Sequence, residues 1–320
     1  MNRFVTTMLA LIATVAPAAA QSYPDRAVRL IVPFPAGSAT DSLSRVLAQK
    51  FAARMGQQFV VENRPGASGS LGSDIIAKAT PDGYTMGLIT ASTHALAPAL
   101  GAKLPYDPVK DFKPISMIAA APYALVLYAG IPVKSVSDLV ALAKTKPGEL
   151  NYGSAGLASL AHLAGALFAT QTGINLTHVP YRSSAQSSID MITGRLDMQF
   201  ATVAPTLSNI RDGKLRALAT TGRKRLSVLP EVPTMIESGV ADYEVSLWMA
   251  YTFPAGTPDE IVAKINGEMK AILNDPETAE ALRKQGFEPE PGPPGAVTAL
   301  IQGEIDKWRA LVNKTGIKTE

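Results

Sequence analysis

Residues 28–51 read VRLIVPFPAGSATDSLSRVLAQKF, and the change of period inside this stretch decides the fold. Val28 to Val32 is a short apolar run interrupted only by Arg29, the pattern of a buried strand. The loop Pro33-Phe34-Pro35-Ala36-Gly37-Ser38-Ala39-Thr40 follows. Leu43, Val46, Leu47 and Phe51 then recur at helical spacing, with Arg45 and Gln49 off that face. A strand, a polar loop and an amphipathic helix make the first half of a β-α-β unit.

The alternation continues outward. Phe59-Val60-Val61 is a second strand, Arg64 to Gly72 a glycine-rich loop, and Ser73 to Ala79 a helix. Asp82-Gly83 turns the chain into a third strand, Tyr84 to Ile89. Alternating strands and helices predict a parallel sheet flanked by helices. A proline-rich stretch, from Pro98 through Pro105 and Pro108 to Pro114, leads to the apolar run Tyr123 to Tyr128 and a second alternating set. Its strands are Leu150–Tyr152, Leu176–Val179, Leu196–Phe200 and Leu215–Thr220, and its helices Ser137–Lys144, Leu160–Thr170 and Ala185–Thr193. After Pro230 and Pro233 comes the β-prone run Tyr243 to Phe253, then helices over Pro258–Leu273, Pro276–Gln285 and Pro294–Val312. These last helices have no sheet of their own and are expected to return to the first unit. The chain then crosses between units twice, near Tyr123 and near Tyr243. The expected division is lobe 1 over 21–122 and 247–320, and lobe 2 over 123–246. Two crossings make a hinge, and ligands favour such inter-domain clefts.

The N-terminus carries a different signal. Met1-Asn2-Arg3 is followed by an apolar run from Phe4 to Ala16, then Pro17 and Ala18-Ala19-Ala20. A positive start, a short apolar core and an A-x-A site read as a secretory signal peptide over 1–20, cleaved before Gln21. The run is shorter than the roughly 20 residues a membrane-spanning helix needs. A periplasmic location is expected. Without Arg3 the basic count falls from 30 to 29 against 27 acids, a net charge of +2, which gives no electrostatic case for nucleic acid. The chain has no cysteine, which excludes disulfides, thiolate chemistry and cysteine-ligated metals.

Six loops at strand C-termini carry small polar residues, the edge where open α/β sheets hold ligands. Ser38, Thr40 and Asp41 are able to cap the first helix, and amides near Gly37 are free to face an anion. An anion cradle and an ordinary strand-to-helix turn both fit this loop. The second loop, Pro65-Gly66-Ala67-Ser68-Gly69-Ser70-Leu71-Gly72, is neither a Walker loop nor a dinucleotide fingerprint, because its spacing is G-x-x-G-x-x-G. Its glycines let backbone approach a ligand closely. Ser92, Thr93 and His94 follow the third strand. On the second unit Gly153 to Ser159, Tyr181 to Ser184, and Ala201-Thr202 hold equivalent places. G-x-S-x-G, S-x-x-K and H-E-x-x-H are all absent, and His94, His162 and His178 show no metal spacing. No catalytic residue, cofactor or metal is therefore expected. His178 reads as structural, while His162 either faces the cleft or packs away from it.

Several of these segments resemble one family. Val32-Pro33-Phe34-Pro35-Ala36-Gly37 with Asp41, and Glu62-Asn63-Arg64-Pro65-Gly66-Ala67-Ser68-Gly69, look like the Bug family of extracytoplasmic binding proteins of tripartite tricarboxylate transporters. His178-Val179-Pro180-Tyr181, Val232-Pro233-Thr234, Pro254-Ala255-Gly256-Thr257-Pro258 and Lys307-Trp308 extend the match along the whole mature chain. The resemblance implies a periplasmic-binding-protein-like (Venus flytrap) α/β fold, no enzyme activity, and a membrane permease as partner. It implies ligands such as di- or tricarboxylates, amino acids, nicotinate-like acids or aromatic acids. One carboxylate is expected on backbone groups of the first two loops, here Phe34, Ala36, Gly37, Ser38, Ala67, Ser68 and Gly69. The rest of the ligand falls to Ser154, Ala155, Gly156, Ser159, His162, Tyr181, Ala201 and Thr202.

The chain also departs from the family pattern. Ala36 stands where proline is common, Ser38 and Ser68 where glycine is common, and Arg182-Ser183-Ser184 replaces a lysine-glycine segment. Ala166 and Ala201 stand where acids are frequent, which points from amino acids towards a dicarboxylate or an aromatic acid. An exported hydrolase with an unrecognised site and a sensory module docking on a membrane kinase are the competing expectations.

Overall fold

The computed structural model describes residues 23–317, so the expected signal peptide lies outside the described residues. The core of the first unit is β1 (Val28–Val32), with β2 (Phe59–Asn63) and β3 (Thr85–Thr90) parallel to it on either side. Helices α1 (Ala39–Met55) and α2 (Ser70–Ala77) cover opposite faces of these strands. Leu30 packs with Leu43, Leu47 and Phe51 of α1, and Ile31 packs with Ile76 of α2. A strand buried on both faces reads as a continuous apolar run, which is why Val28 to Val32 shows no alternation. Arg29 alone is exposed, and it pairs with Glu62 at 2.8 Å.

The second unit repeats the plan. β5 (Asn151–Ser154) lies parallel to β6 (Thr177–Pro180) and β7 (Met198–Thr202). Helices α4 (Val136–Thr145), α5 (Leu160–Thr172), α6 (Ser184–Ile192) and α7 (Val203–Arg211) accompany them, with β8 (Leu215–Thr220) antiparallel to β4 (Phe112–Tyr128).

β4 joins the two units. Its residues up to Pro122 pair with β9 (Ser246–Pro254), and from Tyr123 onward it pairs with β7 and β8. The return passage is fixed at Val245, whose amide donates to the Thr221 carbonyl at 3.0 Å. Two α/β lobes are thus connected through adjacent segments of β4 and β9, the layout of a hinge.

α8 (Asp259–Asn274) and α9 (Pro276–Lys284) close the first sheet on the α1 face. α10 (Pro294–Thr315) closes the other face and also reaches α5. A two-residue strand, β10 (Glu288–Pro289), pairs with Ala119 and Ala120 of β4.

Several elements differ from the sequence expectation. β4 begins at Phe112 rather than Tyr123, because Pro114 sits beside an irregularity in its pairing with β9, where a missing N–H is tolerated. A continuous helical turn, a π-turn Ser92–Leu96 running into α3 (Ala97–Ala99), replaces the expected loop after β3. α2 begins at Ser70, three residues before the expected start. α7 was not anticipated. Tyr243 belongs to the approach to β9, held by its hydroxyl, which donates to the Ala164 carbonyl at 2.8 Å.

Candidate functional site

A cleft of about 820 Å³ opens between the lobes, within the range of small-molecule sites. Ala67, Ser68 and Ser70 line one wall, Ser92 and Thr93 continue it, and Ala158, Ser159 and Leu160 face them from the second lobe. Tyr123 and Leu247, from the two hinge segments, also line it.

The loop before α2 is shaped by backbone conformation. Ala67 (φ 45°), Ser68 (φ 54°) and Gly69 (φ 95°) are successive left-handed residues. For non-glycine residues this costs on the order of 1–2 kcal/mol each, and such strain clusters at ligand sites. The turn closes through the Gly69 amide on Gly66 O at 2.9 Å and the Ser70 hydroxyl on Ala67 O at 2.8 Å. Among the described residues no group accepts from the amides of Ala67 and Ser68. Consecutive free N–H groups in such a turn form a concavity for an anion. Gly69 is enclosed: a Cβ there would stand 2.7 Å from Thr93 Cγ2 and 3.4 Å from Phe34 Cζ. This packing ties Phe34, the second loop and Thr93 together.

The first loop is built differently from the sequence expectation. The Gly37 amide does not point outward but donates to Asp41 Oδ2 at 2.8 Å, and Ser38 caps α1 by accepting from the Asp41 amide at 3.3 Å. Asn63 Nδ2 donates both to Asp41 Oδ1 at 2.9 Å and to Phe34 O at 3.1 Å. Burial raises the Asp41 carboxyl, but hydrogen bonds from Gly37, Asn63 and Arg45 outweigh it and hold the group below the usual carboxylate range. The buried Asp41 thus fixes the loop to β2. Ala36 and Gly37 are exposed, and neither lines the cleft.

Ser92 and Thr93 line the cleft, but His94 does not reach it. Its ring is fully enclosed between Tyr106 and Phe112, with Nδ1 2.9 Å from the Thr93 hydroxyl. Burial pushes His94 down to about 3, so it is neutral. Tyr106 donates to the Thr93 carbonyl at 2.9 Å, and the two side chains hold Thr93 in place.

In the second lobe, Ser159 caps α5 by accepting from the His162 amide at 3.3 Å and donates to Gly156 O at 2.8 Å. The following N–H groups of α5 carry the partial positive charge of a helix start, and Ser159 and Leu160 at that start line the cleft. His162 accepts from the Ala158 amide at 3.0 Å and stacks on His178 at 3.8 Å and 8°. It supports the cleft wall without lining it.

Ser154 is fully buried, donating to Gly156 O at 2.8 Å and lying 2.7 Å from His178 Nε2. With the hydroxyl proton on Gly156 O, His178 Nε2 is the donor and has no lone pair left for a base. Among the described residues no carboxylate orients His178, and burial, then the charge of His162, lowers it to about 4. A nucleophile with an activating base is not assembled here.

Tyr181 turns away, its hydroxyl donating to Asp190 at 3.0 Å. Ala155 and Gly156 stand outside the cleft lining, as does Thr202, the residue preceding α7. Ala201 is 2 % exposed, in an apolar cluster with Val126, Leu196 and Leu215. An acid at 201 would point into that cluster rather than at a ligand, so its absence carries no information about the ligand.

Tyr123 is one of the cleft residues that sequence reading passed over. It was legible as a crossing point, but only the hinge geometry brings it into the cleft. Its hydrogen bonds run through the backbone to Thr221, and its hydroxyl has no partner among the described residues.

Comparison with known proteins follows this geometry. Residues 43–317 match the tripartite tricarboxylate transporter family receptor. Protein BugT of Bordetella pertussis is 36% identical over 323 residues, covering 99% of this chain and 99% of the relative. Rpa4515 of R. palustris, solved with adipate, is 37% identical with a TM-score of 0.73, covering 92% of this chain and 99% of that one. MatC from Rhodopseudomonas palustris, solved with bound malate, is 30% identical with a TM-score of 0.68, covering 91% of this chain and 100% of that one.

Proposed function

The chain belongs to the tripartite tricarboxylate transporter receptor family, and from that premise we propose that its cleft takes a dicarboxylate or an aromatic carboxylate between the two lobes. Members of this family are periplasmic solute-binding receptors, and this chain is a carboxylate-binding receptor of that kind. Among the described residues no helix is long and apolar enough to cross a membrane.

The observation that carries the ligand reading is the pair of amides at Ala67 and Ser68 without an acceptor among the described residues, in a turn that lines one cavity together with the first residues of α5. One carboxylate accepts from those amides and from the Ser92 hydroxyl, while the hydroxyls of Ser70, Thr93 and Ser159 donate to Ala67 O, Thr90 O and Gly156 O and shape the wall around it. Phe34 backs the Gly69 turn, and Gly37 and Ser38 hold the first loop in position. Adipate and malate are the ligands held by two relatives, which supports the dicarboxylate alternative. Lobe 1 comprises 21–122 and 247–320, and lobe 2 comprises 123–246. Closure about β4 and β9 buries the ligand unchanged and presents the closed form to membrane permease subunits. Residues 1–20 direct export and are removed. The protein performs no chemistry on its ligand.

Thermal melting with dicarboxylates and aromatic acids, followed by mass analysis of the released ligand, tests this. Binding should raise the melting temperature and return the acid intact. Release of a modified product, or no shift with any acid, would sink the proposal.

A further inference from the structure

Among the described residues Lys103 is the one charged residue lining the cleft, and no carboxylate lines it. Among the described residues Lys103 forms no ion pair. Its position relative to the anion cradle follows from the helix that leads to it. The helical turn from Ser92 through α3 presents Thr93, Leu96, Ala97 and Leu100 to the cleft, and these spacings put them on one face. This stripe starts beside the turn at Ser68 and Gly69; at Gly101 (φ 78°) the chain reverses, with the Ala102 amide on Ala97 O at 3.0 Å and the Tyr106 hydroxyl on Thr93 O at 2.9 Å, so Lys103 stands on the segment that returns along the stripe. Leu104, Leu160 and Leu247 add further apolar surface to the lining. The cleft therefore has a polar turn, an apolar middle and one cation on the segment that returns alongside it.

We propose that Lys103 is a specificity-determining residue that holds a second anionic group, so that the cleft selects diacids over monoacids of the same chain length. This rests on the carboxylate-capture reading above. A monocarboxylate of equal length would fill the apolar middle and leave the ammonium without a partner.

The test uses the mature protein and two probes of equal chain length, adipate and hexanoate, by isothermal titration. Wild type should bind adipate at least about tenfold tighter than hexanoate, a preference that shrinks as salt screens the ammonium. Lys103→Met should bring adipate to within about threefold of hexanoate, and Lys103→Arg should keep the preference. Lys103 is exposed, so the ligand-free variants should melt with wild type. An adipate-to-hexanoate ratio unchanged in Lys103→Met would overturn the assignment while leaving carboxylate capture standing. Wild type that binds neither acid would overturn the assignment, and only the absence of a melting shift with every dicarboxylate and aromatic acid would overturn carboxylate capture with it.

Discussion

Substituting Gly69 by alanine tests whether the second loop, rather than the first, builds the anion cradle. Gly69 has φ 95°, and its added methyl would meet Thr93 Cγ2 at 2.7 Å. The backbone cost is roughly 1 kcal/mol, and overpacking adds about 1–3 kcal/mol. Thr93 is 1 % exposed, with its hydroxyl held between Thr90 and His94, and has little room to retreat. The total is about 2–4 kcal/mol. Unfolding entropy is about 2.1 cal/mol/K per residue, or roughly 0.6 kcal/mol/K for a chain of this size, so melting should fall by about 3–6 °C. The same shift displaces the Ala67 and Ser68 amides, and affinity for the bound acid should drop tenfold or more. Gly37→Ala is the matched control. Gly37 has φ 80°, but its Cβ would meet nothing within 4 Å. It should lose about 1 kcal/mol through the backbone alone, with affinity unchanged. Calorimetry for stability and titration for affinity read both variants. Equal loss of affinity in the two, or loss in Gly37→Ala alone, would refute the assignment.

Three further outcomes follow from the same contacts. Ser159→Ala removes the cap of α5 and should cost about 1 kcal/mol in urea unfolding, with ligand affinity also reduced. Asp41→Ala leaves the Gly37 amide and Asn63 without their acceptor, and should destabilise by about 1–3 kcal/mol in the same assay. His178 is kept neutral in the folded protein, its pKa lowered from an ordinary 6.5 to about 4 by burial and then by His162. The unfolded chain therefore binds the extra proton first, and stability should fall as pH drops from 6.5 towards 4. A His178→Gln variant should show a shallower fall over that window, measured by denaturant titration at each pH.

The fold was legible where local period and packing agree. Val28 to Val32 and the spacing of Leu43, Leu47 and Phe51 give strand and helix directly, because both faces are set by burial in one lobe. β4 was not legible over its first half, since Pro114 closes a proline-rich stretch that reads as loop and only pairing with β9 holds the residues after it extended. The helical turn at Ser92 was read as a loop because Ser and Thr dominate it, while His94 and Leu96 anchor it through tertiary burial. The site divides in the same way. A glycine-rich loop is visible in sequence, but which amides are free is not. Gly37 and Ala67 look equivalent until Asp41 is seen to accept from one of them. Tyr123 and Lys103 carry no motif and enter the cleft only through the hinge and the end of α3.

The crystal structure of the mature protein grown with adipate tests capture between the lobes most directly. The account predicts one carboxylate accepting hydrogen bonds from the Ala67 and Ser68 amides, with the α5 N-terminus closed over it. Adipate bound outside the cleft, or those two amides left without an acceptor in the complex, would contradict it.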